Sequence, residues 1–254
     1  PNVALMYKPG KFNFRASYAA GFRTPTLSEL YATDIAKKND RLTIGNLDLK
    51  PEKNNYFSLS AEYVHERFSV SVNAFYNNIR DMIDYNTIAT GDKAMEQYGH
   101  KEVRQRDNIA EAKVHGINVS ANAYLGAGFN LSGGYTHLNT QDVELEQPID
   151  KSIKNAYNIN AQWAHSWKIY RLNINLNGRI NSKRFSKSYG YAPEYQLWDL
   201  NTRHSFNLKS VIIEPGCGME NLFDYMDDRP YNSNYATLTP GRSFYISLSL
   251  KFKS

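Results

Sequence analysis

The stretch Pro240–Ser254 reads PGRSFYISLSLKFKS, and from Phe244 to Phe252 it alternates without a fault. Phe244, Ile246, Leu248, Leu250 and Phe252 fall on one side; Tyr245, Ser247, Ser249 and Lys251 fall on the other. Period 2 is the mark of a β-strand with one apolar and one polar face. A single strand of this kind suits a half-buried position in a soluble sandwich. The same pattern repeated down a chain, with wet-looking partner faces, suits a barrel standing in lipid.

The pattern does repeat. Strands are expected over Asn2–Lys8, Lys11–Ala20, Asn54–His65, Arg67–Tyr85, Gln105–Leu125, Phe129–Thr140, Lys154–Trp167, Lys168–Arg184, Glu194–Leu208, Ser210–Leu222 and the closing stretch. Pro9-Gly10, His65-Glu66, Gly126-Ala-Gly128 and Lys209 mark tight turns. Between them lie long connections at 21–53, 86–104, 141–151, 185–193 and 223–241. Thr26-Leu-Ser-Glu29 in the first of these has the form of a capping box for a short helix, and Asp34–Asp48 is expected to be polar loop. About eleven strands thus alternate between short turns and long loops, as in outer-membrane barrels. Polar faces such as Arg171, Asn173, Asn175, Asn177 and Arg179 suit a wet lumen, not a dry core between sheets. The expected fold is therefore all-β, a transmembrane antiparallel up-and-down barrel whose Phe/Ile/Leu face meets lipid.

Strand parity carries this further. The last strand runs from a long loop towards the short-turn side, so the first must start on the long-loop side. Bacterial single-chain barrels have even strand counts. About eleven strands starting on the outer side are expected to be the C-terminal half of a 22-stranded barrel.

Composition narrows the classes. The 254 residues are 41% hydrophobic with mean hydropathy −0.59, and no run approaches the roughly 18 apolar residues of a membrane helix. Aromatics make up 13%, favouring β structure and interfacial girdles. One cysteine, Cys217, allows no internal disulfide, and six scattered histidines show no metal-ligand spacing. A net charge of +5 without a basic run gives no reason to expect nucleic acid as a partner. Neither Gly-x-Ser-x-Gly nor His-Glu-x-x-His occurs, so no catalytic residue, cofactor or metal is expected, and an enzyme is not.

Three segments carry a family resemblance. They are Gly21-Phe22-Arg23-Thr-Pro25-Thr-Leu-Ser-Glu-Leu-Tyr31, then Gly45-Asn46-Leu-Asp-Leu-Lys-Pro51-Glu52, and Asn221-Leu-Phe223-Asp-Tyr225 followed by the closing strand. In this order the chain resembles the C-terminal half of the barrel of TonB-dependent outer-membrane transporters, over essentially residues 1–254. The resemblance implies an occluding N-terminal plug and a first barrel half, both beyond these residues. It implies import of a scarce small-molecule nutrient, driven by the TonB complex and the proton-motive force, in the outer membrane of a Gram-negative bacterium. Outer-membrane lipid and the barrel-assembly machinery are further implied partners, the latter reading the terminal strand (Phe244, Ile246, Leu248, Leu250, Phe252). Two departures stand out: Phe252 is followed by Lys253-Ser254, and no histidine lies between Arg23 and Asn46, which counts against haem and leaves ferric siderophores, cobalamin or another small ligand. A surface binding module without transport, or a small passive outer-membrane channel, are the competing readings.

Ligand contacts are expected among cationic and aromatic residues of the long loops: Arg23, Tyr31, Arg41, Tyr98, His100, Arg229, Tyr231 and Tyr235. Guanidinium and phenol groups suit anionic, aromatic chelates through charge-assisted hydrogen bonds and stacking. Arg23 and Pro25 suit equally a purely structural role, holding the loop to the strand end.

Overall fold

Residues 1–186, 190–227 and 240–253 are described in the computed structural model, and the alternating stretches are strands. In chain order they are β1 (Asn2–Tyr7), β2 (Phe12–Arg23), α1 (Leu27–Tyr31), β3 (Thr33–Ala36), β4 (Arg41–Ile44), β5 (Glu52–Val64), β6 (Phe68–Thr90), α2 (Gly91–Tyr98), β7 (Glu102–Gly126) and β8 (Phe129–Asp142). There follow β9 (Asn155–Trp167), β10 (Tyr170–Asn181), β11 (Arg184–Ser186), β12 (Gly190–Ala192), β13 (Tyr195–Asn207), β14 (Val211–Glu220) and β15 (Ser243–Phe252). Eleven of them form one antiparallel meander, β1-β2-β5-β6-β7-β8-β9-β10-β13-β14-β15, in which each strand pairs with the next one along.

Register puts like with like. Leu5, Ala16, Leu59, Ala74 and Ile117 are successive partners across β1, β2, β5, β6 and β7. One position along, Arg15, Ser60, Asn73, Asn118 and Thr136 form a row that belongs to the opposite face. Among the described residues nothing covers the apolar face: Leu5 is 70% exposed, Leu59 62% and Ile246 87%. So much bare hydrocarbon in water would drive association, whereas in a bilayer it faces its own kind.

Aromatic rings bound this face at two heights. Near the short turns Phe12 lies 4.9 Å from Tyr63, Trp167 5.5 Å from Tyr170, and Tyr170 5.0 Å from Phe206. Towards the long loops Tyr18 lies 4.7 Å from Phe57, and Tyr135 4.7 Å from Tyr157. The belts are six residues apart on β5 (Phe57 to Tyr63) and eight on β13 (Trp198 to Phe206). At about 3.3 Å per residue and a tilt near 40° that is roughly 15–20 Å, approaching the ~25 Å apolar band of an outer-membrane barrel. Trp198 in the second belt fills the space over Gly178, its ladder partner, where a Cβ would lie 2.5 Å from the indole ring.

Buried apolar side chains gather elsewhere. Leu49, Ile83, Ala94, Val103 and Ala112 lie in or beside the first two long connections. There, above the lipid-facing section, the loops build a small water-excluding core of their own.

Two expected loops are corrected by the structure. Within Asp34–Asp48, β3 and β4 form a hairpin, and β4 pairs in parallel with β7, Arg41 opposite Glu102 and Ile44 opposite Gln105. Residues 86–104 are mostly ordered: β6 runs on to Thr90, α2 caps the turn, and β7 begins at Glu102. These strands reach 23 and 25 residues, more than twice the roughly 9–11 that cross a bilayer. Their outer halves face the loops' own small core and water rather than lipid, which blurs the alternation that reveals a strand. The strand expected over Lys168–Arg184 stops at Asn181, and Arg184 begins a separate hairpin with β12.

Candidate functional site

The first motif forms a latch at the outer ends of β2 and β5. Arg23 and Glu52 are ladder partners, and the guanidinium meets both carboxylate oxygens, Nε to Oε2 at 2.7 Å and Nη2 to Oε1 at 2.6 Å. Its Nη1 turns to Glu29, 3.1 and 2.9 Å from that residue's two oxygens. Glu29 is also the third residue of α1 and closes the capping box expected from the sequence: the Thr26 hydroxyl accepts from the Glu29 amide, and the Glu29 carboxylate accepts from the Thr26 amide at 2.8 Å. Donation from Arg23, reinforced by Thr26, holds the Glu29 carboxyl at a pKa of about 2, against the desolvation that opposes it. Glu52 reaches a third strand, accepting from the Ile83 amide of β6 at 2.9 Å.

The second motif docks on the first. Gly45 donates its amide to the Ala32 carbonyl at 2.8 Å, and the Asn46 amide donates to the Glu29 carbonyl at 3.0 Å. A Cβ on Gly45 would lie 2.5 Å from the Leu30 carbonyl oxygen and 2.8 Å from the Tyr31 nitrogen, so only glycine fits. The Asn46 side chain donates to the Arg106 carbonyl of β7, and Asn108 of β7 binds both the amide and the carbonyl of Lys50. The third motif is a turn. The Asn221 side chain, almost wholly buried, donates to the Tyr225 carbonyl at 2.7 Å and accepts from its amide at 2.8 Å, while Asp224 accepts from the Arg242 amide at 2.8 Å.

Against the latch stands a four-stranded wall, β6-β7-β4-β3, raised above the lipid section. Paired residues in a ladder share a face. Tyr85 pairs with Arg106, Thr87 and Thr43 both pair with Arg104, and Arg41 pairs with Glu102. One face therefore carries three guanidiniums, Arg41, Arg104 and Arg106, with Tyr85 among them and two carboxylates, Glu102 and Asp34, beside them. The Arg106 guanidinium carbon lies 3.6 Å over the Tyr85 ring, a cation–π contact, while Arg104 Nε donates to Glu102 at 2.6 Å. The Arg41 Nε is buried and has no hydrogen-bond partner among the described residues. A rigid sheet holding guanidiniums beside a phenol offers charge-assisted donors and a stacking platform to an anionic ligand.

Of the expected ligand residues, Arg23 is taken up by the latch. His100 is tied to Asp40, Nδ1 to Oδ1 at 2.9 Å, a bond that joins the two long loops and holds the Asp40 carboxyl below the usual range. Tyr31 is 67% exposed at the end of α1, and Tyr98 ends α2. Arg41 joins the wall. Arg229, Tyr231 and Tyr235 lie outside the described residues. Tyr85, Arg104 and Arg106 join this candidate site and are residues that sequence reasoning misses. A signal is present, in cations two apart in Val-Arg-Gln-Arg, but it straddles the start of the strand expected from Gln105 and shows nothing of the pairing with β4.

A family model described as TonB dependent receptor-like, beta-barrel, matches residues 1–222. Among solved structures, the ferric enterobactin receptor PfeA of Pseudomonas aeruginosa superposes with a TM-score of 0.75 at 20% identity, over 99% of this chain and 39% of that one. The ferric preacinetobactin receptor BauA of Acinetobacter baumannii gives 0.71 at 18% identity, over 99% and 36%. The copper transporter OprC gives 0.72 at 14% identity, over 99% and 39%. The chain thus spans about two fifths of the length of the receptors it matches. Identities of this size speak for the fold alone.

Proposed function

Because the chain belongs to the TonB-dependent receptor β-barrel family of the Gram-negative outer membrane, we propose that it is the C-terminal half of a 22-stranded importer for a ferric siderophore bearing negative charge. The wall of Arg41, Arg104, Arg106 and Tyr85 carries this reading: it stands on the long-loop side, where such a ligand would arrive, and its chemistry is that of anion capture. Tyr31 and Tyr98 are assigned secondary contacts. Arg23 and His100 act one step back, holding the loops that present the wall. Among the described residues no group of three or more His, Cys, Asp or Glu stands ready for a metal ion, so iron would be recognised through its chelator. Cobalamin is the next nutrient in line, and haem follows it. The plug and first barrel half would come from the rest of the same receptor, with TonB supplying the pull and the barrel-assembly machinery inserting β15.

Growth of a deletion strain on ferric siderophores, cobalamin and haem as sole sources tests the reading. Loss of growth on one anionic siderophore is the expected result. Unchanged growth on every one of these nutrients would remove the nutrient-import assignment.

A further inference from the structure

The short-turn side of the sheet carries a charge pattern that import does not call for. Its turns hold Lys8 and Lys11 between β1 and β2, Arg67 between β5 and β6, Lys168 between β9 and β10, Lys209 between β13 and β14, and Lys253 after β15, against a single acid, Glu66. On the long-loop side the first connection, residues 24–51, balances Glu29, Asp34, Asp40 and Asp48 with Lys37, Lys38, Arg41 and Lys50. Lys253 is engaged, its Nζ donating to the Leu208 carbonyl at 2.8 Å and to Asn207. The other five are exposed and form no ion pair among the described residues. Three of them adjoin the inner aromatic belt directly: Lys11 beside Phe12, Arg67 beside Phe68, Lys168 beside Trp167.

We infer that this rim is a docking surface for the headgroups of anionic glycerophospholipids. Belt rings fix the depth of the bilayer edge, and cations just beyond them stand at the level of the phosphates, reached by long apolar stems. The spacing argues for a lipid surface over a free anion. With strands about 4.8 Å apart, the turns holding Lys11 and Arg67 are roughly 10 Å apart and those holding Arg67 and Lys168 roughly 20 Å. No small anion can bridge them, but each can meet its own headgroup in an array. A cation at an anionic membrane surface is worth roughly fivefold in affinity, and the gain falls with salt.

The test uses the intact protein in nanodiscs of phosphatidylcholine mixed with phosphatidylglycerol, with co-purifying lipids counted by native mass spectrometry. Wild type is expected to retain phosphatidylglycerol preferentially at low salt. A rim variant combining Lys8→Gln, Lys11→Gln, Arg67→Gln, Lys168→Gln and Lys209→Gln should lose at least about tenfold of that preference. A control with the same charge change on the loop side, Lys37→Gln, Lys38→Gln, Lys93→Gln, Lys151→Gln and Lys154→Gln, should keep it. If the combined variant fails to fold, Lys168→Gln and Lys209→Gln alone should each show a drop of roughly fivefold. Unchanged preference in the rim variants, equal loss in the control, or displacement of the lipid by inorganic phosphate would each overturn the assignment.

Discussion

Arg23 and Glu52 are ladder partners on β2 and β5, and they face each other with two parallel hydrogen bonds of 2.6 and 2.7 Å. The remaining arm of the guanidinium holds Glu29, so one side chain fastens α1 to two barrel strands. Replacing Arg23 by Ala leaves two carboxylates sharing a site with no counter-charge. Because the arginine is 43% exposed, solvent screening limits the loss to about 1 kcal/mol, roughly fivefold in local opening. Hydrogen exchange should report faster exchange over residues 24–51 and unchanged protection in β8–β10. Equal protection of the loop in the variant would show that the latch does not hold it.

Acid should release the same loop before the barrel. Glu29 has its pKa depressed from 4.5 to about 2, so its ion pair contributes in full above pH 4.5 and is lost as pH falls towards 2. Loop exchange or proteolytic nicking between residues 24 and 51 is therefore expected to rise between about pH 4.5 and 2. In Glu29→Gln it should already be higher at neutral pH, with only the smaller acid-dependent rise that the remaining Arg23–Glu52 pair leaves. A wild-type loop indifferent to acid would contradict the electrostatic account.

Gly45→Ala tests the docking of the two motifs. The added methyl meets backbone atoms at 2.5–2.8 Å, which no rotamer change can relieve. A cost of about 1–3 kcal/mol is expected, as for overpacked sites, with α1 displaced from the 45–50 segment. Tyr31, beside the clash, makes a convenient reporter: its solvent accessibility to chemical labelling should change in Gly45→Ala and not in Gly10→Ala, where a Cβ meets nothing within 4 Å.

Ligand affinity should depend on the wall more than on the latch. A charge-assisted hydrogen bond contributes about 1.5–3 kcal/mol, so Arg104→Gln and Arg106→Gln should each weaken an anionic ferric siderophore by roughly 10- to 100-fold. Tyr85→Leu removes the ring under Arg106 and should cost less. Titration by fluorescence quenching separates the variants, and equal affinities in all of them would move the binding site away from this wall.

The two faces of the closing strand should tolerate charge differently. Leu248 sits mid-strand on the apolar face, where an arginine facing lipid costs about 2–4 kcal/mol near the midplane. Ser247→Arg, one position along and on the wet face, should be nearly neutral. Folding equilibria in lipid vesicles measure both, and similar costs would mean that the faces have been assigned the wrong way round.

Much of this fold is legible in the chain because lipid enforces a strict rule. Where one face must be apolar and the other wet, period 2 survives, and strands such as β10 and β15 stand out residue by residue. The rule lapses above the membrane. Leu42 and Ile44 lie in a four-residue strand whose partner, Val103 to Gln105, is sixty residues away, and no local pattern announces a parallel pairing at that distance. The capping box at Thr26 and Glu29 is readable because it is local chemistry. Arg23 stands out in its motif, but nothing local shows that its charge is already spent, since both of its carboxylate partners reach it only on folding. Tyr85, Arg104 and Arg106 stay hidden for a different reason: Tyr85 and Arg106 sit at the very ends of expected strands, Arg104 just outside one, and nothing local shows that β4 pairs beside them to make a wall.

The parallel pairing of β4 with β7 also bears on when this molecule becomes itself. Among the described residues every other pairing in the main sheet is antiparallel, either along the meander or in the β3–β4 hairpin, so the lipid-facing wall can grow hairpin by hairpin as the chain arrives. β4 must wait until β5, β6 and α2 have been laid down before its partner exists, and it bears the loop-closure entropy of that delay. Closing this wall therefore carries an entropic cost that the hairpins of the lipid-facing section do not, so the outer end of the sheet completes on different terms from the part seated in the membrane.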